Sequence, residues 1–441
     1  MTDRTNLKRQ VNEAIDARGD ELVRLSKTIL NNAEPGFREI KTAGLVADWL
    51  NANGLRPRVG VAMTGVVGTL DTGRPGPHVA VMGELDSLIV PGHAHANLDT
   101  GAAHACGHHA QIGSMLGVAA GLMDEAVRGA LSGKVTFMAT PAEEYIEIER
   151  REQLREQGKI EFLGGKQEFI RLGELDSVNI AMLTHTSSLE KTGFGVGGSN
   201  NGMLGKTVQF IGKAAHAGGS PHLGINALNA AHIALAGIHA QRETHRDADT
   251  VRVHPIITMG GASVNSVPAD VRMETYVRAG SISAMGDASV KVDRALRAGA
   301  MAVGGSVRIK TIPGYLPAKY DGALTEVYSR NATALVGGDN VHTLRHSTGS
   351  TDMGDVSQLV ATIQPSVFAS SGNGHGVDYL VNDYDLAVVE AAKAMAMTVV
   401  DLLADDAADG CRIVESFRAP MTRPEYISRL MELRSDRTYS E

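Results

Sequence analysis

Four short apolar runs constrain the fold of this chain more than any other feature. Residues 78–83 (HVAVMG), 134–140 (KVTFMAT), 179–184 (NIAMLT) and 366–370 (SVFAS) have the length and near-continuous apolar character of strands covered on both faces. A helical pattern at residues 111–128 separates the first two, and others are expected at 20–32, 42–53, 323–336 and 385–403. Strands alternating with helices predict an α/β domain built on a mostly parallel sheet.

The middle of the chain has a different rhythm. Strand patterns at 203–212, 251–260, 271–279 and 307–312 enclose helical patterns at 225–244 and 284–303. This βαββαβ order is that of a ferredoxin-like α+β domain. The expected organisation is therefore a sheet domain from residues 1–200 and 315–441, interrupted by an inserted domain at 201–314. The polar tail from Asp409 is expected to wrap the surface.

In open α/β sheets, ligands gather beyond the carboxyl ends of the strands. Each apolar run here leads to residues that bind metals or move protons. The first ends at Glu84 and Asp86, the second at Glu143 and Glu144, the third at His185, and the fourth leads to His375. Between the first two lies His104-Ala-Cys106-Gly-His108-His109, directly before the apolar run of residues 112–123. Thiolate and imidazole suit zinc and similar divalent ions. A helix N-terminus favours a nearby thiolate. Taken singly, each feature has a plainer reading: a core cysteine beside surface histidines, a solvated acidic loop for Glu143-Glu144, a cap or turn for Asp86. Four such endings on one edge suggest one site. Cys106, His108, Glu144, His185 and His375 would hold one or two divalent ions, zinc by the soft sulfur or manganese by the carboxylates and histidines. Successive side chains on an extended segment point in opposite directions. Glu144 can then bind metal while Glu143 takes a proton from water. Asp86 would orient a ligand histidine.

Composition narrows the classes. The 441 residues carry 42 basic and 50 acidic side chains, a formal charge of −8, which leaves no basic excess for a nucleic-acid backbone. Two distant cysteines make no disulfide framework. Residues 1–20 lack the apolar stretch of a signal peptide, and no apolar run is long enough to span a membrane. A cytoplasmic protein acting on a small molecule is expected.

These motifs resemble the aminoacylase/carboxypeptidase family of cocatalytic metallopeptidases. The nearest branch holds indoleacetyl-amino-acid, hippurate and p-aminobenzoyl-glutamate hydrolases and N-acetyl-diaminopimelate deacetylases. The matching segments are Gly83-Glu84-Leu85-Asp86-Ser87-Leu88, His104-Ala105-Cys106-Gly107-His108, Pro141-Ala142-Glu143-Glu144, His185-Thr186, His216-Ala217-Gly218, Asn265-Ser266-Val267-Pro268 and Gly374-His375. Residues 347–357 (STGSTDMGDVS) look like the p-aminobenzoyl-glutamate hydrolase side of the branch. The resemblance implies a phosphorylase/hydrolase-like catalytic domain with a lid and dimerisation domain. It implies the five metal ligands named above, with Glu143 as general base. It also implies that His216 reaches across a homodimer to polarise the scissile carbonyl, and that Asn265 and Arg278 hold the substrate. A capped turn and a strand-surface charge are the plainer readings of those last two. The assembly implied is a homodimer through the lid, or a higher homo-oligomer.

Three departures stand out. His109 replaces the usual Asp, Glu84 stands where many members have Asp, and residues 149–164 form a charged insertion after the Glu pair. The expected reaction is hydrolysis of an N-acyl or N-aroyl amino acid, or of a small peptide-like amide. A related 5-nitroanthranilate aminohydrolase leaves hydrolytic deamination of an electron-poor aromatic amine as an alternative. A non-catalytic metal-binding protein would not need Glu143, and a cysteine hydrolase built on Cys106 would ignore chelators.

Overall fold

The computed structural model describes residues 3–440. The chain forms two compact units. The first takes in the segment up to Gly198, Lys319–Arg345 and Asp355–Arg423; the second takes in Ser199–Ala318, His346–Gly354 and the segment from Pro424 onward.

The first unit is built on a six-stranded sheet in the order Arg58–Val61, Gly65–Asp71, Lys134–Thr140, His78–Glu84, Ile180–Met182, Ala361–Ile363. The last four are parallel, and the first two add an antiparallel hairpin at one edge. The hairpin has no expected counterpart in the apolar runs. The fourth parallel strand is also a correction: it is Ala361–Ile363, not residues 366–370. Residues Ser366–Val367 instead form a short strand parallel to His185–Thr186 and antiparallel to Phe194–Gly195. Only three residues of the true strand pair, too few to show an apolar period.

The helix His108–Leu122 lies at the centre of this unit, and all fifteen of its residues are buried. Apolar side chains all round a helix are what full burial requires. Gly113, Gly117 and Gly121 recur every four residues along one stripe. A Cβ there would lie 2.0 Å from Ser26 Oγ, 2.6 Å from Ala392 Cβ and 3.0 Å from Ile15. The glycines therefore let the helices Arg4–Asp16, Gly19–Leu30 and Ala391–Leu403 approach closely. The charged insertion forms the helix Ile148–Glu156 and leads to a second, Gly165–Leu172.

The second unit is a five-stranded antiparallel sheet in the order Arg252–Met259, Asp270–Ala279, Gly202–Ile211, Ser306–Pro313, Ser435–Tyr439. The helices Ala227–Ala240 and Ile282–Met301 pack on it through Ala231, Ala234, Val292 and Leu296, against Phe210 and Met273. The fifth strand is unexpected. The tail does not simply wrap the surface: Ser435–Tyr439 pairs with residues 307–311 and closes that edge of the sheet.

Candidate metal centre

The loop from Ala103 to the start of the buried helix turns at Gly107, whose φ is +85°. A Cβ there would meet Thr186 Oγ1 at 1.9 Å, so only glycine fits. This turn sets Cys106 and His108 at the helix start. The His108 Nδ1–H donates to the Asp86 carbonyl at 2.9 Å. A carbonyl only accepts, so the proton sits on Nδ1 and the Nε2 lone pair is left for a metal. His185 is set in the same way: its Nδ1–H donates to the Thr186 carbonyl at 2.8 Å, and its Nε2 faces Cys106 Sγ at 3.4 Å.

The donor atoms form overlapping groups. Those of Cys106, His108 and His185 lie within 4.8 Å of one another, as do those of Cys106, Glu144 and His375. Cys106 belongs to both. A third group joins Glu84, His108 and Glu143. His375 Nε2 is 3.7 Å from Glu144 Oε1, and its backbone is held in the left-handed region at φ +66°. His108 Nε2 lies 4.0 Å from Glu143 Oε2 and 4.0 Å from Glu144 Oε1.

Glu144 Oε1 is buried and makes no hydrogen bond, and His108 Nε2 is faced only by carboxylates, the nearest being Glu84 Oε2 at 3.1 Å. Buried polar atoms without partners are costly, by about 1–3 kcal/mol each. The sulfur, nitrogen and oxygen donors converge where a divalent ion would satisfy both. The residues present therefore fit a metal. The electrostatics agree. Burial pushes the Cys106 thiol up, and the Glu144 carboxylate pushes it further, against the helix-start effect expected from the sequence. A thiolate at this position needs a cation beside it. Burial acts to lower His108, but Glu84 and Asp86 outweigh it and hold the ring well above the usual histidine range, so a metal ion at Nε2 has to displace the proton that faces Glu84.

Asp86 has two tasks. Its backbone carbonyl and Oδ1, 3.4 Å away, back His108 Nδ1, while its Oδ2 accepts the Glu144 N–H at 2.9 Å. It thus fixes the His108 ring and the loop carrying the Glu pair.

Lys166, Gln111 and Glu39 were not legible as site residues; Glu84, noted as a strand end, is where two of them meet. Glu84 Oε1 meets Lys166 Nζ at 2.5 Å, and both side chains are fully buried. Gln111 Nε2 donates to Glu84 Oε2 at 3.0 Å, and that oxygen is 3.1 Å from His108 Nε2. Burial would raise the Glu84 carboxyl, but Lys166 and His108 hold it down at about 2. Glu39 accepts the Ala142 N–H at 2.8 Å and the Thr64 hydroxyl at 2.6 Å. Burial, then the nearby Asp86, pushes Glu39 up to about 7. Gln111 stands three residues after His108 on one helix and was the one such residue a spacing argument could have found. His109, the departure noted in the sequence, is buried against the Tyr384 hydroxyl at 2.9 Å and falls in none of the donor groups. Burial and His108 push it down to about 3.

His216, Asn265 and Arg278 all lie in the second unit. His216 and Asn265 are brought together there. Ala217 N–H donates to the Asn265 carbonyl at 2.9 Å, and His216 bridges to Ser266. The His216 ring accepts backbone N–H bonds from Gly218 and Gly219 at Nδ1, which leaves the proton on Nε2. Arg278 is elsewhere in the unit, paired with Met203 and Arg252, with its Nε 3.3 Å from His254. Along the strand from Asp270 to Arg278 the backbone rises by roughly 26 Å, so Asn265 and Arg278 mark opposite ends.

Residues 80–401 match peptidase family M20/M25/M40. The Xaa-Arg dipeptidase of Mus musculus is 28% identical over 421 residues, covering 90% of this chain and 89% of its own length. The indole-3-acetyl-aspartic acid hydrolase of Enterobacter agglomerans is 31% identical over 254 residues, 55% of this chain and 52% of its own length. Among solved structures, a dinuclear metal binding peptidase of the M20 family from Bacillus subtilis superposes with a TM-score of 0.66 at 22% identity. It covers 88% of this chain and 99% of that one.

Proposed function

The chain belongs to peptidase family M20/M25/M40, whose members hydrolyse amide and peptide C–N bonds, and on that premise we propose that it cleaves an N-acyl or N-aroyl amino acid, or a small dipeptide-like amide. One observation carries the reading. Two donor groups share Cys106, and Glu143 lies beside them without being needed in either.

Cys106, His108 and His185 would hold one divalent ion, and Cys106, Glu144 and His375 a second; zinc and manganese both suit this donor set. When bound, such ions polarise the scissile carbonyl and make a water more acidic. Glu143 takes that water's proton as the oxygen attacks the carbonyl carbon, then delivers it to the leaving nitrogen as the C–N bond breaks. Asp86 keeps His108 in the tautomer that leaves Nε2 unprotonated. The second unit, ferredoxin-like in its strand order, serves as a lid. From it His216, with its proton on Nε2, reaches the substrate carbonyl of the other protomer in a homodimer; Asn265 beside it holds the substrate's carboxylate or carbonyl, and Arg278, at the opposite end of the unit, would do so for a different substrate molecule. The substrate is a small molecule, and the cytoplasm is the compartment that fits two free cysteines.

The test is product analysis with Mn(II)- or Zn(II)-loaded enzyme. The panel holds N-acetyl, N-benzoyl and p-aminobenzoyl amino acids, dipeptides ending in Arg, and nitro-substituted anthranilates. A carboxylic acid plus an amino acid, or two amino acids, supports the proposal. A hydroxylated ring with release of ammonia overturns it in favour of aryl-amine deamination. Glu143→Gln should keep its metal and lose about 10²–10⁴-fold in kcat; turnover that persists with metal in place removes Glu143 as the base.

A further inference from the structure

The loop that carries Glu143 and Glu144 is held in an unusual shape. Ala142 has φ +54°, in the left-handed region that an L side chain seldom adopts. Four backbone groups around it are met from other segments. Ala142 N–H goes to Glu39 and Glu144 N–H to Asp86. The Ala142 carbonyl accepts from Gly165 N–H at 3.3 Å and from Arg151 Nη1 at 3.3 Å. The Glu144 carbonyl accepts from Arg151 Nη2 at 2.5 Å.

Arg151 is the informative member. It comes from the charged insertion, in the run ERREQLRE, which reads as a solvated helix surface. Its side chain is nevertheless fully buried, with the guanidinium against the Phe37 ring. A third bond, Nη1 to the Leu163 carbonyl at 2.8 Å, ties the far end of the insertion to the same group. The fold makes room for it: a Cβ on Gly36 would sit 2.4 Å from Arg151 Nη2 and 2.9 Å from Ala142 Cβ. A rigid fork of N–H donors can span several carbonyls at fixed angles, which a lysine cannot do.

We propose that Arg151 is a positioning residue. It clamps the left-handed Ala142 loop so that Glu144 faces the metal donors and Glu143 faces the water. The insertion would then be a brace for the catalytic loop. This rests on the reading of Glu143 and Glu144 given above.

The experiment compares Arg151→Met, Arg151→Lys and Gly36→Ala with Arg151→Met/Ala142→Gly. Two readouts are needed: Mn(II) binding to the protein alone, followed by electron paramagnetic resonance, and kcat and KM on the best substrate. The clamp predicts that Arg151→Met loses about 100-fold in kcat, as a displacement near 1 Å costs. Its Mn(II) affinity falls and KM changes little. Arg151→Lys should recover only part. Ala142→Gly in the Arg151→Met background should restore at least about tenfold, since glycine does not resist the left-handed shape. If Arg151→Met does not fold, Arg151→Lys carries the test and should show the same split in milder form, while Gly36→Ala, which crowds both the guanidinium and Ala142, reads only whether displacing the loop costs metal and rate. A purely structural role predicts a lower melting temperature with kcat and Mn(II) affinity unchanged below it, and that result overturns the clamp. Glu143→Gln separates the two claims. If its turnover survives while the Arg151 variants lose Mn(II), the base assignment falls and the clamp stands. If Glu143→Gln is inactive while the Arg151 variants keep metal and rate, the reverse holds.

Discussion

Lys166 and Glu84 offer the sharpest test of how this centre is built. Both side chains are fully buried, and their charged atoms are 2.5 Å apart. Glu84 also lies 3.1 Å from His108 Nε2. Lys166→Met removes the ammonium and strands a carboxylate where water cannot reach it. Breaking a buried pair from one side costs about 3–5 kcal/mol. Gln111 still donates to Glu84, and His108 still faces it, so the lower end is expected, about 3 kcal/mol. Glu84→Gln should cost a similar amount by stranding Lys166. The double variant should lose much less than the sum, with a coupling of about 2–3 kcal/mol. Urea unfolding at pH 7 with a chelator present measures all four proteins without the contribution of bound metal. The sign with pH also follows. The folded Glu84 carboxyl sits at about 2, against 4.5 when unperturbed. Its contribution is complete above pH 4.5 and is lost as pH falls through 2, so the wild type should lose more stability than the double variant over that window. A Lys166→Met loss below about 1 kcal/mol, or costs that simply add, would falsify the claim that the pair is dry and mutually dependent.

Three further outcomes are expected. Glu39 is held at about 7 by burial and by Asp86, against 4.5 unperturbed, so its stabilising effect is present below pH 4.5 and lost as pH rises through 7. Glu39→Gln should flatten the decline of stability over that window, by at most roughly 3 kcal/mol, as read by denaturation at stepped pH; an unchanged slope would place the titration elsewhere. Saturating Zn(II), at about 100 times its Kd, should stabilise the wild type by about 2.7 kcal/mol, and Cys106→Ser should lose most of that gain in thermal scans. A full zinc shift in the variant removes the sulfur from the ligand set. Ending the chain after Leu433 deletes the strand Ser435–Tyr439 and uncovers the edge of Ser306–Pro313. Light scattering should then show association at concentrations where the full chain is monodisperse or of fixed size, because bare edges pair with other chains.

That Cys106, His108, Glu144, His185 and His375 would converge was legible because they sit at strand ends and at a helix start, positions that short-range patterns reveal. All five meet in the donor groups. His375 was reached by the wrong route. The run expected to deliver it, residues 366–370, is not in the main sheet, and the strand that is, Ala361–Ile363, is too short to announce itself. Glu84 was noted as a strand end, yet nothing local says that a lysine 82 residues later will neutralise it.

Period and residue type are local properties, and by themselves they determined the alternation of strands and helices, the inserted βαββαβ segment and the chemistry of the donors. Only the tertiary structure decided which charges lie out of water. Nothing in the sequence marks Lys166, Arg151 or Glu39 as buried, because a charged residue in a helix or at its start gives no sign of what will cover it. Lys166 is matched by Glu84, Arg151 is covered by Phe37, and Glu39 is met by the Ala142 N–H, all from segments far along the chain. The energy of a buried charge exists only once such partners have closed around it.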